Sequence, residues 1–246
     1  MFLDYYLDSQ IYPRRTAPCM VREFTSRNVG GTECIVMTQN DAKGWIMFCH
    51  GNLDTLDSLW EAKLPHKIAE KCKCNVIVPE FPAKHSTGIA HDQATIDTFK
   101  AAYNRLRLDT KAPVYVLAHS LGVALALHAC TDHAPNGMVL ASGFSSIRNL
   151  APPYVSCMLP DRLNNVRAIA QHSCPIHIVH GKEDPIIPYA HSLRLKQAYS
   201  RAVLHGIDKM QHNPTSWNTI LDISSQLMTE TTPQIEALTY PSYRYS

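Results

Sequence analysis

The apolar positions of the chain change period repeatedly between two and three-to-four. Short runs rich in β-branched and aromatic residues predict strands: "WIMFCH" (45–50), "NVIVPEFP" (75–82), "VYVLAH" (114–119), "GMVLAS" (137–142), "IHIVHG" (176–181) and "AVLHGI" (202–207). Between them, "AHDQATIDTFKAAYNRLRL" (90–108) carries Ile96, Phe99, Tyr103 and Leu106 at helical spacing. "TLDSLWEAKLPHKIAEKC" (55–72) also reads as a helix, which Pro65 should kink or divide. Further helices are expected directly after Ser120, near 190–199 and over 216–228. Strands alternating with helices, several of them apolar on both faces, predict an α/β fold. Its sheet should be mainly parallel and covered by helices on both sides. Before the first of these strands, "CMVREFTS" and "TECIVMTQ" flank "RNVGG", the pattern of an antiparallel hairpin over about 17–38. Residues 145–172 leave room for a short cap, and the proline-containing stretch 230–246, without a clear period, reads as an irregular tail. The whole of 1–246 is expected to form a single domain.

Composition narrows the class. Hydrophobic residues make up 45% of the 246, enough for a sizeable core, and the formal net charge is only +2. With so little excess charge, and no dense run of Lys or Arg to track phosphates, no nucleic-acid partner is expected. No stretch reaches the roughly 18 apolar residues of an integral membrane segment, and "MFLDYYLDSQ" lacks the basic start and apolar run of a signal peptide. A soluble, cytoplasmic protein is the expectation. Several of the eight cysteines fall in apolar runs and read as buried free thiols rather than a disulfide framework. Cys72 and Cys74 have no second pair at zinc-ligand spacing, and His177 and His180 point to opposite faces of a strand, so no metal site is expected.

The chemistry gathers where strands end. Ser120 lies between the strand "VYVLAH" and a helix of small residues, with Ala118 and Gly122 two positions to either side. A serine there either caps the helix or, on a sharp strand-to-helix turn, exposes its Oγ beside the N–H groups of the helix N-terminus. A phosphate loop in this place would carry more glycine and a lysine. Three further stretches bear on the choice. "FCHGN" brings the backbone N–H of Asn52 to a strand end, where it could join that of Leu121 as a pair of oxyanion donors. "IVHGKEDPIIP" places Asp184 after a later strand, and "KMQHNP" places His212 after the next. Each also has an ordinary reading: a turn at His50 and Gly51, a helix cap at Asp184, a surface histidine at His212.

Taken together, "FCHGNLDTLD", "VPEFPAKHSTG", "AHSLG", "VHGKEDPIIP" and "QHNP" resemble the α/β-hydrolase-fold serine hydrolases over about 45–212. They are similar in particular to the small depalmitoylase-like and serine-aminopeptidase-like branch. The resemblance implies Ser120 as nucleophile, Asp184 as the orienting acid, His212 as base and the N–H groups of Asn52 and Leu121 as oxyanion hole. It implies hydrolysis of carboxylic ester or thioester bonds in a small-molecule or acylated substrate through an acyl-enzyme, a chemistry that requires no cofactor. The alternatives are a peptidase of the serine aminopeptidase type and a non-catalytic binding protein on the same fold. The sequence departs from the family at Ala118, where glycine is usual, and at Lys209, Met210 and Gln211, where small residues are usual. Its N-terminal segment lacks the cysteine cluster of membrane-bound relatives. His205, in "AVLHGI", is the other histidine in the right part of the chain, but a strand would fix its direction. His119 is expected to pack beneath the sheet end and His50 to order its own loop. The apolar residues of the cap region, Ile147, Leu150, Tyr154, Val155, Met158 and Leu159, either line an acyl pocket or form a packing helix.

Overall fold

The computed structural model describes residues 26–82 and 92–231. Eight strands form one sheet: β1 (Ser26–Val29), β2 (Thr32–Met37), β3 (Trp45–Cys49), β4 (Asn75–Pro79), β5 (Val114–His119), β6 (Gly137–Ala141), β7 (Ile176–Gly181) and β8 (Val203–Ile207). Their spatial order is β1-β2-β4-β3-β5-β6-β7-β8. The pairs β1/β2 and β2/β4 are antiparallel, and every pair from β4 through β3 to β8 is parallel. Successive residues of β3 and β5 alternate between two apolar layers. Met47, Cys49, Val116 and Ala118 face one layer, and Ile46, Phe48, Tyr115 and Leu117 face the other. Burial on both faces is why these strands read as unbroken apolar runs.

Helices α1 (Leu56–Glu61), α2 (Leu64–Cys72) and α8 (Asn218–Thr231) cover the second layer; α3 (Asp92–Asp109), α4 (Leu121–Ala129), α6 (Asn165–Ile169) and α7 (Ala190–Ala198) cover the first. The short α5 (Pro153–Ser156) and a 3₁₀ turn (Arg148–Leu150) lie between β6 and α6. Pro65 does divide the 55–72 segment. The break falls at Lys63, whose φ of 54° ends α1, and the proline takes the first turn of α2, where its missing N–H is not needed. The stripe of α3 is buried at Ile96, Phe99, Tyr103 and Leu106. Among the described residues no helix is long and apolar enough to cross a membrane. Seven cysteines are described, all unpaired, and all but Cys157 are buried.

Two boundaries differ from expectation. The hairpin turn is only Gly30 and Gly31, and 27–29, expected in the loop, belong to β1 and pair with β2. Both glycines have positive φ, 63° and 87°, which gives the two-residue turn whose twist matches the strands and lets pairing run to its edge. Residues 19–25, expected in the first strand, lie outside the described residues. The last helix runs to Thr231 rather than ending near 228, and the expected tail beyond it also lies outside them.

One contact sets the position of α4. A methyl group at Gly122 would overlap the carbonyl oxygen of Cys49 and lie 2.7 Å from that of His50. The first turn of α4 therefore presses on the end of β3, and only hydrogen fits between them. Gly122→Ala is expected to destabilise the fold markedly, because backbone rather than a flexible side chain would have to move. A shift in the urea midpoint within error of wild type would refute this close packing.

The described core also buries imidazoles. Burial pushes His119, His128, His172, His177, His191 and His205 below the ordinary histidine value. His191, buried first and then facing the charge of Arg194, is held down to about 4. Between that value and about 6.5 the unfolded chain binds protons that the folded chain does not, so stability falls as pH falls through this window. Denaturation midpoints should thus decline steadily from pH 7 to pH 4. His191→Asn, which keeps an acceptor for Ser145 and removes the titration, should flatten part of that slope. An unchanged slope in the variant would contradict the assignment.

Candidate active site

The loops that leave the carboxyl ends of β3, β5, β6, β7 and β8 meet around one cavity of about 550 Å³. Ser120 lines it, between β5 and α4. Its backbone adopts φ 54° and ψ −121°, a strained conformation for any residue but glycine, and its N–H is held by the Ala141 carbonyl at 3.0 Å. Although it occupies the N-cap position of α4, its side chain makes no capping hydrogen bond. The hydroxyl is instead directed at His212: Oγ lies 2.9 Å from Nε2.

His212 Nδ1 lies 2.8 Å from Asp184 Oδ2. An ionised carboxylate can only accept, so Nδ1 carries the ring proton, and Nε2 is left as the acceptor for the Ser120 hydroxyl. Asp184 also has the loop role considered for it: Oδ1 accepts the N–H groups of Ile186 (2.9 Å) and Ile187 (2.8 Å). One oxygen holds the loop and the other faces the histidine. Behind it lies His180, fully buried. Its Nδ1 accepts the Ser192 hydroxyl at 2.6 Å, and Nε2–H points at the Ile187 carbonyl (2.8 Å) and at Asp184 Oδ2 (3.3 Å). Burial by itself raises the pKa of Asp184. The hydrogen bonds from His180, His212 and the Ile187 N–H outweigh it and hold the carboxyl well below the usual range.

The loop after β3 closes another side of the cavity. His50 is buried, with Nδ1 3.0 Å from the Gly51 carbonyl and Nε2 3.1 Å from that of Pro79. Glu80, buried at the end of β4, accepts the N–H of Leu56 at 3.1 Å and of Phe81 at 2.8 Å, tying the start of α1 to the neighbouring strand. Asn52 lies on the loop so held, and Leu121 begins α4; both line the cavity with Ser120. The remaining wall is apolar, formed by Phe144, Ile147, Leu150, Ile186 and Ile187, with Leu53 at the loop tip.

Ser120, Asp184 and His212 thus come together, with Asn52 and Leu121 on the same cavity. His205 does not join them: its Nε2 lies 3.1 Å from His177 Nδ1 on the neighbouring strand. His119 is buried as expected, but against the base loop rather than only beneath the sheet. Its Nε2 lies 3.0 Å from the His212 carbonyl oxygen and its ring centroid 5.3 Å from that of His212. Of the six cap residues, Ile147 and Leu150 reach the cavity, whereas Tyr154 and Met158 are exposed at 81% and 75%. Tyr154 lies on the single-turn helix Pro153–Ser156, and Met158 lies just beyond its end. Sequence reading missed His180 as the support of Asp184. Its signal was the H-x-x-x-D spacing across a strand end, which a test for metal chelation does not register.

No protein-family model matches the chain, and no curated protein matches its sequence. Solved structures do match its fold. An esterase of Pyrococcus furiosus superposes with a TM-score of 0.68 at 14% identity, covering 90% of this chain and 98% of the other. A monoacylglycerol lipase of Paleococcus ferrophilus gives 0.64 at 12% identity, over 81% and 99%. A puromycin-hydrolysing peptidase of Mycobacterium tuberculosis gives 0.61 at 15%, over 82% of this chain and 37% of that one. With its mainly parallel eight-stranded sheet and its helices on both faces, this chain has the α/β-hydrolase fold.

Proposed function

We propose that this protein is a serine hydrolase that cleaves carboxylic ester or thioester bonds through an acyl-enzyme. The observation that carries the reading is the continuous line Asp184 Oδ2, His212 Nδ1, His212 Nε2, Ser120 Oγ, with links of 2.8 and 2.9 Å, opening onto an apolar cavity. As Ser120 Oγ attacks the acyl carbonyl, His212 Nε2 takes its proton, and Asp184 stabilises the imidazolium that forms. The carbonyl oxygen becomes an anion at the N-terminus of α4, beside the Leu121 N–H, with the Asn52 N–H as the second donor. His212 then gives the proton to the leaving alcohol or thiol. Water, activated by the same histidine, attacks the acyl-enzyme, and the acid is released with Ser120 restored. The apolar wall of Phe144, Ile147, Leu150 and Ile187 suits an apolar acyl group.

A fluorophosphonate probe followed by ester and thioester series graded by acyl length tests this reading. The wild type should label and hydrolyse, and Ser120→Ala should lose labelling and about 10³-fold or more of its kcat without loss of stability. Labelling that survives the substitution would remove Ser120 as nucleophile.

Asp184→Asn gives an independent check. The amide can still accept the N–H groups of Ile186 and Ile187, so the loop should hold. Its NH₂ side, however, favours the opposite tautomer of His212, with Nε2 protonated and unable to accept from Ser120. A drop in kcat of roughly 10³ to 10⁴ is expected, whereas Glu183→Gln should stay near wild type. If Glu183→Gln proved the more damaging change, the acid would be the wrong residue.

A further inference from the structure

His119 is buried at 4% exposure, one residue before the nucleophile, and the mechanism above makes no use of it. Its surroundings are specific. A carbonyl oxygen can only accept, so the 3.0 Å contact between its Nε2 and the His212 backbone oxygen makes Nε2 the protonated nitrogen. Nδ1 is then a lone pair, and among the described residues it has no hydrogen-bond partner. Burial, above every other influence, pushes the pKa of this imidazole down and keeps the ring neutral. The ring also packs edge-on against Trp217, centroid to centroid at 5.4 Å. Leaving a buried nitrogen unsatisfied is costly, and a phenylalanine or leucine would fill the same space without that cost. What an apolar ring would not supply is the N–H that reaches His212.

That loop needs holding. It carries Lys209 in a left-handed conformation (φ 58°) and has Met210 and Gln211 where relatives by resemblance have small residues. The Met210 carbonyl packs on Gly181, where an added methyl group would overlap it. The Asp184 contact holds the imidazole of His212 by its side chain, and the His119 contact holds the same residue by its backbone. We infer that His119 is a positioning residue, whose Nε2–H on the His212 carbonyl sets the base at hydrogen-bonding distance from the Ser120 Oγ. Because His119 and Ser120 are consecutive, one segment of backbone places both the nucleophile and the anchor of its base. The inference rests on the Ser120–His212 reading given above.

Three variants test it. His119→Phe keeps the ring volume and removes the donor. His119→Gln puts an N–H near the position of Nε2, and His119→Asn has a side chain too short to reach the His212 carbonyl. With circular dichroism and Tm verifying the fold, His119→Phe and His119→Asn should lower kcat on the order of 10²-fold, the loss that a misplaced reacting group brings, with KM nearly unchanged. His119→Gln should retain most of the wild-type kcat. Wild-type kcat in His119→Phe, or equal rates for the Gln and Asn variants, would overturn the role. A crystal structure of His119→Phe, or of His119→Asn should the former not fold, separates this inference from the proposed function. Displacement of His212 Nε2 from Ser120 Oγ supports it even if the wild type hydrolyses no ester and takes no probe. An unmoved base overturns it.

Discussion

The pressure of the first turn of α4 on the end of β3 is the constraint from which the site follows. Gly122 lets the helix backbone come within contact of the Cys49 and His50 carbonyls. To turn from β5 into a helix held that close, the chain reverses over a single residue, and Ser120 takes a positive φ to do so. The strain is localised there and is held by the N–H of Ser120 on Ala141 and by the buried strands on either side. The consequence is chemical: the hydroxyl lines the cavity at the N-terminal end of α4, where the helix dipole is positive.

Around this bend, the polar groups of the site are placed by buried partners rather than by solvent. Asp184 receives two backbone N–H groups and two imidazoles, so its charge is retained although the side chain is buried. His180 and His119 each bind a backbone carbonyl through a protonated Nε2, and this fixes their tautomers. Glu80 and His50 do for the loop of Asn52 what His180 does for Asp184. Such networks have low tolerance for error, because a low-dielectric interior strengthens each satisfied contact and penalises each orphan. Loops bound in this way hold Ser120, Asp184 and His212 in place, with the apolar wall across the cavity from them.

Much of this was legible in the chain itself. Runs apolar at every position announced strands buried on both faces, and the stripe through Ile96, Phe99, Tyr103 and Leu106 announced α3, because period reports directly on which side a residue buries. Gly122 beside Ser120 signalled a close crossing, since only a missing side chain permits one. Other features were not legible, for physical reasons. Asp184 with Pro185 after it reads equally as a loop cap and as a partner for a histidine, and it serves as both, one oxygen for each. Which histidine reaches Ser120 depends on the path of residues 208–212. That path runs against residues distant in the sequence: Met210 against Gly181, His212 against Asp184 and His119. The hairpin register turned on the φ values of Gly30 and Gly31, which two glycines allow but do not dictate. The division of the cap, with Ile147 and Leu150 on the cavity and Tyr154 and Met158 exposed, is set by tertiary packing rather than by local period. Local pattern thus determined the elements, their order and the candidate groups. Only the tertiary structure decided which of the histidines faces the serine, because hydrogen bonds between residues some ninety positions apart leave no period in the sequence.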